Sequence, residues 1–323
     1  MGSQQLLDIL ADGKFHSGSE LGERMGVSRS AIWKQIRKLE SLGLEIYSVK
    51  GRGYRLPGGM EKLDEHLIGR GLDDSVAAQL RQLNLALTTD STNQQALQAC
   101  QSGDAHGALF VTEQQTAGRG RRGRAWVSPF GRNLYFSLVW RFETGAAAIE
   151  GLSLLVGLAL AKAIENLSGV SPRLKWPNDL LSGGKKLAGI LLEMAGDPSG
   201  DCQVVIGVGL NVNMPVPEAG AIDQPWVDLQ QLVGKPLSRN ALFAQILNTL
   251  IPMLRQFAEH GFAPFREAWH RYHAYQDQPV QLLLGKRVES GRCLGVTDNG
   301  ALRIETAEGE KQFHGGEVSL RPL

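Results

Sequence analysis

The sequence predicts a multidomain α+β protein: an N-terminal winged helix-turn-helix, a central mixed sheet covered by helices, and a small C-terminal β-barrel. Three observations predict it. Residues 1–62 hold short amphipathic helices followed by a basic, glycine-containing, β-prone stretch. Between residues 84 and 272, apolar strand-like runs alternate with helical stretches, and within 273–323 short alternating strands are punctuated by glycine. Residues 63–83 form a helix-prone connector after Pro57-Gly58-Gly59.

In the first domain, residues 4–11 and 17–25 read as helices, the second stopped by Gly26. Ser28 caps a third, in which Ile32, Ile36, Leu39 and Leu42 line one face while Ser30, Lys34, Arg37 and Ser41 occupy another. The turn at Gly26-Val27 makes a helix-turn-helix, and β-prone residues 44–49 and 53–56 around Lys50-Gly51-Arg52-Gly53 make a wing. Residues 28–55 carry seven Lys or Arg against Glu40 and Glu45, which concentrates positive charge where a nucleic acid would lie. The expected DNA-binding residues are Ser28, Arg29, Ser30, Lys34 and Arg37 on the third helix, with Lys50 and Arg52 on phosphate or minor-groove atoms. Taken alone, such a helix is equally a solvated face, and Trp33 fits either packing or groove contact.

In the middle domain, strands are expected at 108–112, 133–140, 173–176, 187–194 and 203–212, with helices at 94–100, 150–167 and 238–259. Strand order does not follow from these runs. In the last domain, strands are expected at 280–284, 287–296, 301–305, 311–313 and 318–320, separated by Gly285, Asp298-Asn299-Gly300 and Gly315-Gly316.

The densest chemical signal is residues 113–126, EQQTAGRGRRGRAW, where Arg119, Arg121, Arg122 and Arg124 stand between Gly118, Gly120 and Gly123 without an acid among them. Like charges this close repel and glycines resist ordering, so the segment should settle only on an anion, polyphosphate above all. A solvated basic turn is the plainer alternative. The glycines also match G-x-G-x-x-G, with Glu143 as a candidate ribose acid, but Pro129, Gly131 and the strand-like run 133–140 follow where that fingerprint needs a helix. A hairpin-like excursion between two strands fits better.

Three other segments belong with this loop. Asp90-Ser91-Thr92-Asn93 gathers hydroxyl, amide and N–H groups where a strand ends and a helix begins. Lys175-Trp176-Pro177-Asn178-Asp179 sets charge and amide after a strand, and Lys186 opens an apolar strand in which Gly189 leaves room against the backbone. Singly these are a cap, a turn and a solvated lysine; together they mark a site.

The chain has 323 residues with net charge +1 and 42% hydrophobic residues, enough for two or three domains with real cores. No apolar run reaches the length of a bilayer span and no leader pattern opens the chain, so a cytoplasmic protein with no membrane role is expected. Cys100, Cys202 and Cys293 are far apart and read as reduced thiols, and the seven histidines form no ligand cluster.

These motifs, together with Lys-Leu-Ala-Gly-Ile at 186, Gly-Val-Gly-Leu-Asn-Val-Asn at 207 and Gly-Gly-Glu-Val-Ser-Leu-Arg at 315, closely resemble the bifunctional biotin protein ligases that also repress the biotin operon. The resemblance covers essentially the whole chain. It implies a winged helix, a central domain of the biotin/lipoate-ligase type and an SH3-like C-terminal barrel. It implies that biotin and MgATP are condensed to biotinyl-5'-AMP, whose biotinyl group passes to a lysine of the biotin carboxyl carrier protein of acetyl-CoA carboxylase. Ser91, Thr92, Asn93, Gln115, Gly118, Arg119, Gly120, Arg121, Lys186 and Gly189 would hold biotin. Arg121, Arg122, Trp126, Asn178, Lys186 and Asn211 would hold ATP, with Trp126 stacked on adenine. Lys186, Arg119, Arg121 and Asp179 would serve catalysis, Asp179 also as a ligand to Mg²⁺.

The resemblance further implies a homodimer, formed when the adenylate is bound, on a palindromic operator. A lipoate ligase on the same fold, a ligand-sensing repressor without turnover, and a ligase with an inert N-terminal domain are the competing readings.

Overall fold

The computed structural model describes residues 2–143, 150–196, 202–215, 220, 222–285, 287–315 and 318–323. The N-terminal domain forms as the sequence predicts. Helix α1 (Gly2–Leu10) buries Leu6, Leu7 and Leu10. A reciprocal capping box between Ser17 and Glu20 starts α2 (Gly18–Met25), and Gly26, at φ 65°, ends it in the left-handed conformation. The Ser28 hydroxyl accepts the Ala31 N–H to start α3 (Arg29–Glu40), which buries Ile32, Ile36 and Leu39. The wing pairs β1 (Tyr47–Val49) with β2 (Gly53–Arg55) and is shorter than the two β-prone runs.

The connector contains α4 (Glu65–Arg70) and α5 (Asp74–Ala77). A buried polar knot holds it to the central domain. Arg239, 4% exposed, donates to the carboxylate of Glu113, 1% exposed, at 2.6 Å, and also to the carbonyls of Asn133 and Glu61. The other Glu113 oxygen accepts the Leu63 N–H, and Asn240 bonds both Lys62 O and Asp64 N.

The central sheet is mixed, as expected, with seven strands: β3 (Gln82–Thr89), β4 (Ala108–Gln115), β5 (Leu134–Phe142), β6 (Arg173–Lys175), β7 (Asp179–Ser182), β8 (Lys185–Gly196) and β9 (Cys202–Leu210). Their order is β3-β4-β5-β9-β8-β7-β6, with β3 and β4 parallel and the other pairs antiparallel. Alternation along the strands serves two faces. Val139 and Val205 pack under α6 (Thr92–Gln101), whereas Leu138, Trp140, Val204 and Ile206 join the larger core with α7 (Leu152–Ser168) and α9 (Arg239–His260). Helix α7 is apolar on nearly every side, as suits a helix between other elements.

Several predicted elements shift. Asp179, read as the end of a turn, opens strand β7, which runs on through residues given no element; Asp179–Ser182 pairs with both β6 and β8 and satisfies its backbone on two sides. Strand β3 begins at Gln82, inside the predicted connector. The short helices α8 (Leu229–Val233) and α10 (Arg266–Tyr272) were not expected; each buries a single residue, Leu229 or Trp269, so neither carries a helical hydrophobic period.

The C-terminal domain has β10 (Pro279–Leu284), β11 (Arg287–Val296), β12 (Leu302–Thr306), β13 (Gly309–Phe313) and β14 (Val318–Pro322). They form an antiparallel sheet in the order β13-β12-β11-β10-β14. The predicted barrel is not found: among the described residues no ladder joins the end strands β13 and β14. The strand spacing that suggested a barrel is common to any five-strand meander, and closure is a matter of curvature that spacing does not encode. Gly316 and Glu317 of the predicted turn and motif lie outside the described residues. Leu282, Cys293, Ile304 and Leu320 continue the central core, and Trp176 Nε1 donates to Gly300 O across the junction.

All three cysteines are buried, and among the described residues no helix is long and apolar enough to cross a membrane. Arg239→Ala would strand the buried Glu113 carboxylate and cost about 3–5 kcal/mol, read from the urea midpoint. A midpoint equal to that of the parent protein would show that the knot is dispensable.

Candidate active site

Three glycines leave a bare floor on the central sheet. Gly189 of β8 pairs with Gly209 of β9, and Gly207 lies two residues along the same face. A Cβ on Gly209 would lie 2.3 Å from the Trp126 ring, one on Gly189 would lie 3.0 Å from it, and one on Gly207 would lie 2.0 Å from Asn93 Oδ1. The indole therefore rests directly on backbone, its buried Nε1 has no hydrogen-bond partner among the described residues, and the Lys186 ammonium sits 5.4 Å from its ring centroid. Gly189 was expected here from the sequence. Gly207 and Gly209 were not, although glycines two apart in a strand-like run signal one cleared face.

At one end of the floor, the start of α6 is built from residues far apart in the chain. Gln115 Oε1 accepts the Thr92 N–H at 2.9 Å and the Thr92 hydroxyl at 3.2 Å, so a β4 side chain caps the helix in place of its own Ser91. Ser137 Oγ lies 2.6 Å from Asn93 Oδ1 and 2.8 Å from Thr92 Oγ1. Ser91, Thr92 and Asn93 are all buried, and Asn93 Nδ2 donates to Glu193 Oε2 at 2.7 Å. Neither Ser137 nor Glu193 was a predicted site residue; Ser137 is a lone hydroxyl in an apolar strand, without a sequence signal.

The arginine loop is the predicted excursion between β4 and β5, and no helix follows its glycines. Arg119 and Ala125 form an antiparallel bridge, Gly120 N–H donates to Arg124 O at 2.7 Å, and Trp126 N–H donates to Gly118 O at 2.9 Å. Arg122 holds a left-handed φ of 58° at the tip. Arg121 reaches inward, donating to Asn178 Oδ1 at 2.9 Å; burial lowers its pKa, opposed by the attraction of Asp179. Arg119 faces Glu193 at 3.7 Å and donates to Gln94 Oε1. Arg122 and Arg124 are exposed, and Arg124 is near enough to Lys175 to add to the lowering of its pKa.

At the other end, cations gather around one carboxylate. Asp179 Oδ1 lies 2.8 Å from Lys186 Nζ, and Oδ2 lies 4.0 Å from Lys175 Nζ. Burial pushes the Lys175 pKa down, with Asp179 opposing and Lys186 adding to the shift. A bulge between β7 and β8 at Leu180/Leu181 sets this register, and Asn178 ties the turn to β8 through Ile190 O and Ile190 N. Asp179 is thus the first residue of a strand. Asn211, 3% exposed, donates to Lys186 O and Val227 O, so its amide braces the strand that carries Lys186. Among the described residues no group of three or more His, Cys, Asp or Glu is placed to hold a metal. Asp179 alone suits an ion whose remaining ligands come from a phosphate and water.

On the N-terminal domain, Ser28, Arg29, Ser30, Lys34, Arg37, Lys50 and Arg52 are all exposed on α3 and the wing. The Arg52 guanidinium lies 4.2 Å from the Phe15 ring centroid. Trp33 is 51% exposed, which removes packing as its role.

Comparison with known proteins agrees with this layout. The biotin/lipoate A/B protein ligase family matches residues 85–211, an HTH domain family matches 3–55, and the biotin protein ligase C-terminal domain matches 277–321. The bifunctional ligase/repressor BirA of Salmonella typhimurium is 43% identical over 98% of this chain and 96% of its own. That of Escherichia coli is 41% identical over the same shares. The chain belongs to the bifunctional ligase/repressor family. The Bacillus subtilis member is 33% identical over 96% of this chain and 95% of its own. A solved biotin protein ligase from Aquifex aeolicus, in complex with biotin and ATP, matches with a TM-score of 0.65 and 30% identity over 76% of this chain and 100% of that one.

Gly209→Ala should lift the Trp126 indole off the floor. The expected outcome is stronger acrylamide quenching of tryptophan emission, and a Trp126→Phe background should show no such increase.

Proposed function

We propose that this protein joins biotin to ATP, transfers the biotinyl group to a lysine of the biotin carboxyl carrier protein of acetyl-CoA carboxylase, and represses the biotin biosynthesis operon when its adenylate is bound. The observation that carries the ligase reading is the convergence of Lys175, Lys186 and Arg121 around Asp179 beside a glycine floor. A carboxylate and a triphosphate repel each other, and attack at phosphorus needs cations fixed between them beforehand.

In this reading the biotin rings lie over Gly189 near Ser91, Thr92, Asn93 and Gln115, with Gly118, Arg119, Gly120 and Arg121 folded above. Lys186 leaves Asp179 to hold the biotin carboxylate and the α-phosphate. A carboxylate oxygen attacks that phosphorus and pyrophosphate departs, leaving biotinyl-5'-AMP. The carrier lysine then attacks the acyl carbon with a neutral amine and AMP departs. Each charge-assisted hydrogen bond to an anion contributes about 1.5–3 kcal/mol. Arg121, Asn178, Trp126 and Asn211 face the nucleotide, and Arg122 joins them only if the loop tip turns inward. Asp179 would hold Mg²⁺ brought in with the triphosphate, and the ion would supply charge neutralisation for the leaving pyrophosphate. A closed arginine loop excludes water from the mixed anhydride.

The repressor reading rests on the exposed basic face of α3 and the wing. One winged helix reads few bases, so a homodimer on a palindrome is expected in the cytoplasm, with the adenylate favouring the dimer through differential affinity. We read the five-strand C-terminal sheet as an opened SH3-like fold.

Lys186→Ala or Arg121→Ala should abolish biotin-dependent ATP–pyrophosphate exchange while the folded circular dichroism spectrum persists. Unchanged exchange would overturn the assigned roles, and activation of lipoate in preference to biotin would overturn the substrate. A mass gain of one biotinyl group on a carrier domain completes the test, and exchange without carrier labelling would leave only a sensor. In sedimentation, biotin plus ATP should shift the protein toward dimer; an unchanged monomer would remove the corepressor model.

A further inference from the structure

The ion pair between Arg119 and Glu193 joins the arginine loop to the most buried part of the floor. Glu193 of β8 is two-sided: Oε2 accepts Asn93 Nδ2 at 2.7 Å, and Oε1 faces the Arg119 guanidinium at 3.7 Å. The Asn93 amide cannot turn freely, because Nδ2 also donates to Leu191 O at 3.3 Å while Oδ1 is 2.6 Å from Ser137 Oγ. Gly207 leaves it no spare room, since a Cβ there would meet Oδ1 at 2.0 Å. Asn93 and Ser137 are buried, so the inner face of Glu193 is fixed while its outer face stays open to the loop.

We infer that Glu193 is a positioning residue that latches the arginine loop over the bound adenylate by anchoring Arg119 to the Asn93–Ser137 network. The inference rests on the proposed adenylate-forming activity. Arg119 is held by two partners only weakly, Glu193 at 3.7 Å and Gln94 Oε1 at 3.3 Å, which suits a contact that must break when the product leaves. Among the described residues the Glu193 carboxylate is the acidic group paired with Arg119, whereas Arg121 is drawn to Asp179 at the other end. The loop is thereby pinned at two places by two acids on neighbouring strands, one over the ring-binding floor and one over the phosphate end.

The test is the release of biotinyl-5'-AMP from the preformed complex of the full-length protein. Glu193→Gln keeps an oxygen for Asn93 but removes the charge facing Arg119. Release is expected to become roughly two- to fivefold faster at low ionic strength, the range of a partly exposed ion pair. The difference should vanish near 1 M salt, where screening acts within about 3 Å. In an Arg119→Gln background, Glu193→Gln should add nothing, an outcome that a merely structural role would not produce. Release equal to the parent protein, or an equal acceleration in both backgrounds, would overturn the latch. Should Glu193→Gln not fold, Glu193→Asp, which keeps the charge but draws it back from Arg119, takes its place with the same measurements. Pyrophosphate exchange by the parent protein checks the underlying reading separately: without exchange the ligase reading fails, whereas exchange with unaltered release overturns only the latch.

Discussion

Crowding of positive charge is the constraint around which this site is built. Lys175, Lys186 and Arg121 share one end of the floor, and Arg119 occupies the other. Such groups hold together only because Asp179 and Glu193 stand among them as provisional counter-charges. In the proposed reaction an arriving carboxylate or phosphate exchanges one anionic partner for another and does not have to assemble the cluster. Low exposure strengthens this exchange, since burial already disfavours the charge on Lys175 and Arg121.

Rigidity beneath the cluster comes from strands whose side chains are missing where the Trp126 indole and the Asn93 amide lie against backbone. Gly189, Gly207 and Gly209 strip the floor, and Asn178 and Asn211 spend their amides on backbone atoms of β8 and its surroundings. Farther away, the Arg239–Glu113 pair joins the connector, β4 and α9 in one buried knot, while Asn133 Oδ1 accepts the N–H groups of Val212 and Asn213. The peptide that leaves the DNA-binding domain is thus fastened by the same residues that border the catalytic sheet. Phe130, close after the arginine loop, packs in the core of the N-terminal domain, so the two domains share side chains as well as a connector.

Much of the fold was legible because its signals are local. Ser28, Gly26 and the Ile32/Ile36/Leu39 stripe specify α3 within a dozen residues, and the basic Gly-containing wing follows at once. Less was legible where pairing partners lie far apart. Strand β7 carries only four residues, too few to show an alternation, and α8 and α10 each bury too little to show a period. In the site, the arginine loop, Lys186 and Asp179 stood out by charge. Ser137 and Glu193 did not, because a hydroxyl or carboxylate in a strand gains meaning only from the residue placed opposite it.

By itself the sequence determined the order of the three domains, the caps and amphipathic faces of the N-terminal helices, and the charged segments at 119–124, 175–179 and 186. Residue type and spacing are enough for these, since helices and turns are decided over a few residues. Only the tertiary structure decided that β8 lies between β7 and β9, that Gln115 caps α6, and that Glu193 stands between Asn93 and Arg119. Each of these is a contact across tens of residues, set by strand register and burial, and register is a property of the whole sheet rather than of any segment within it.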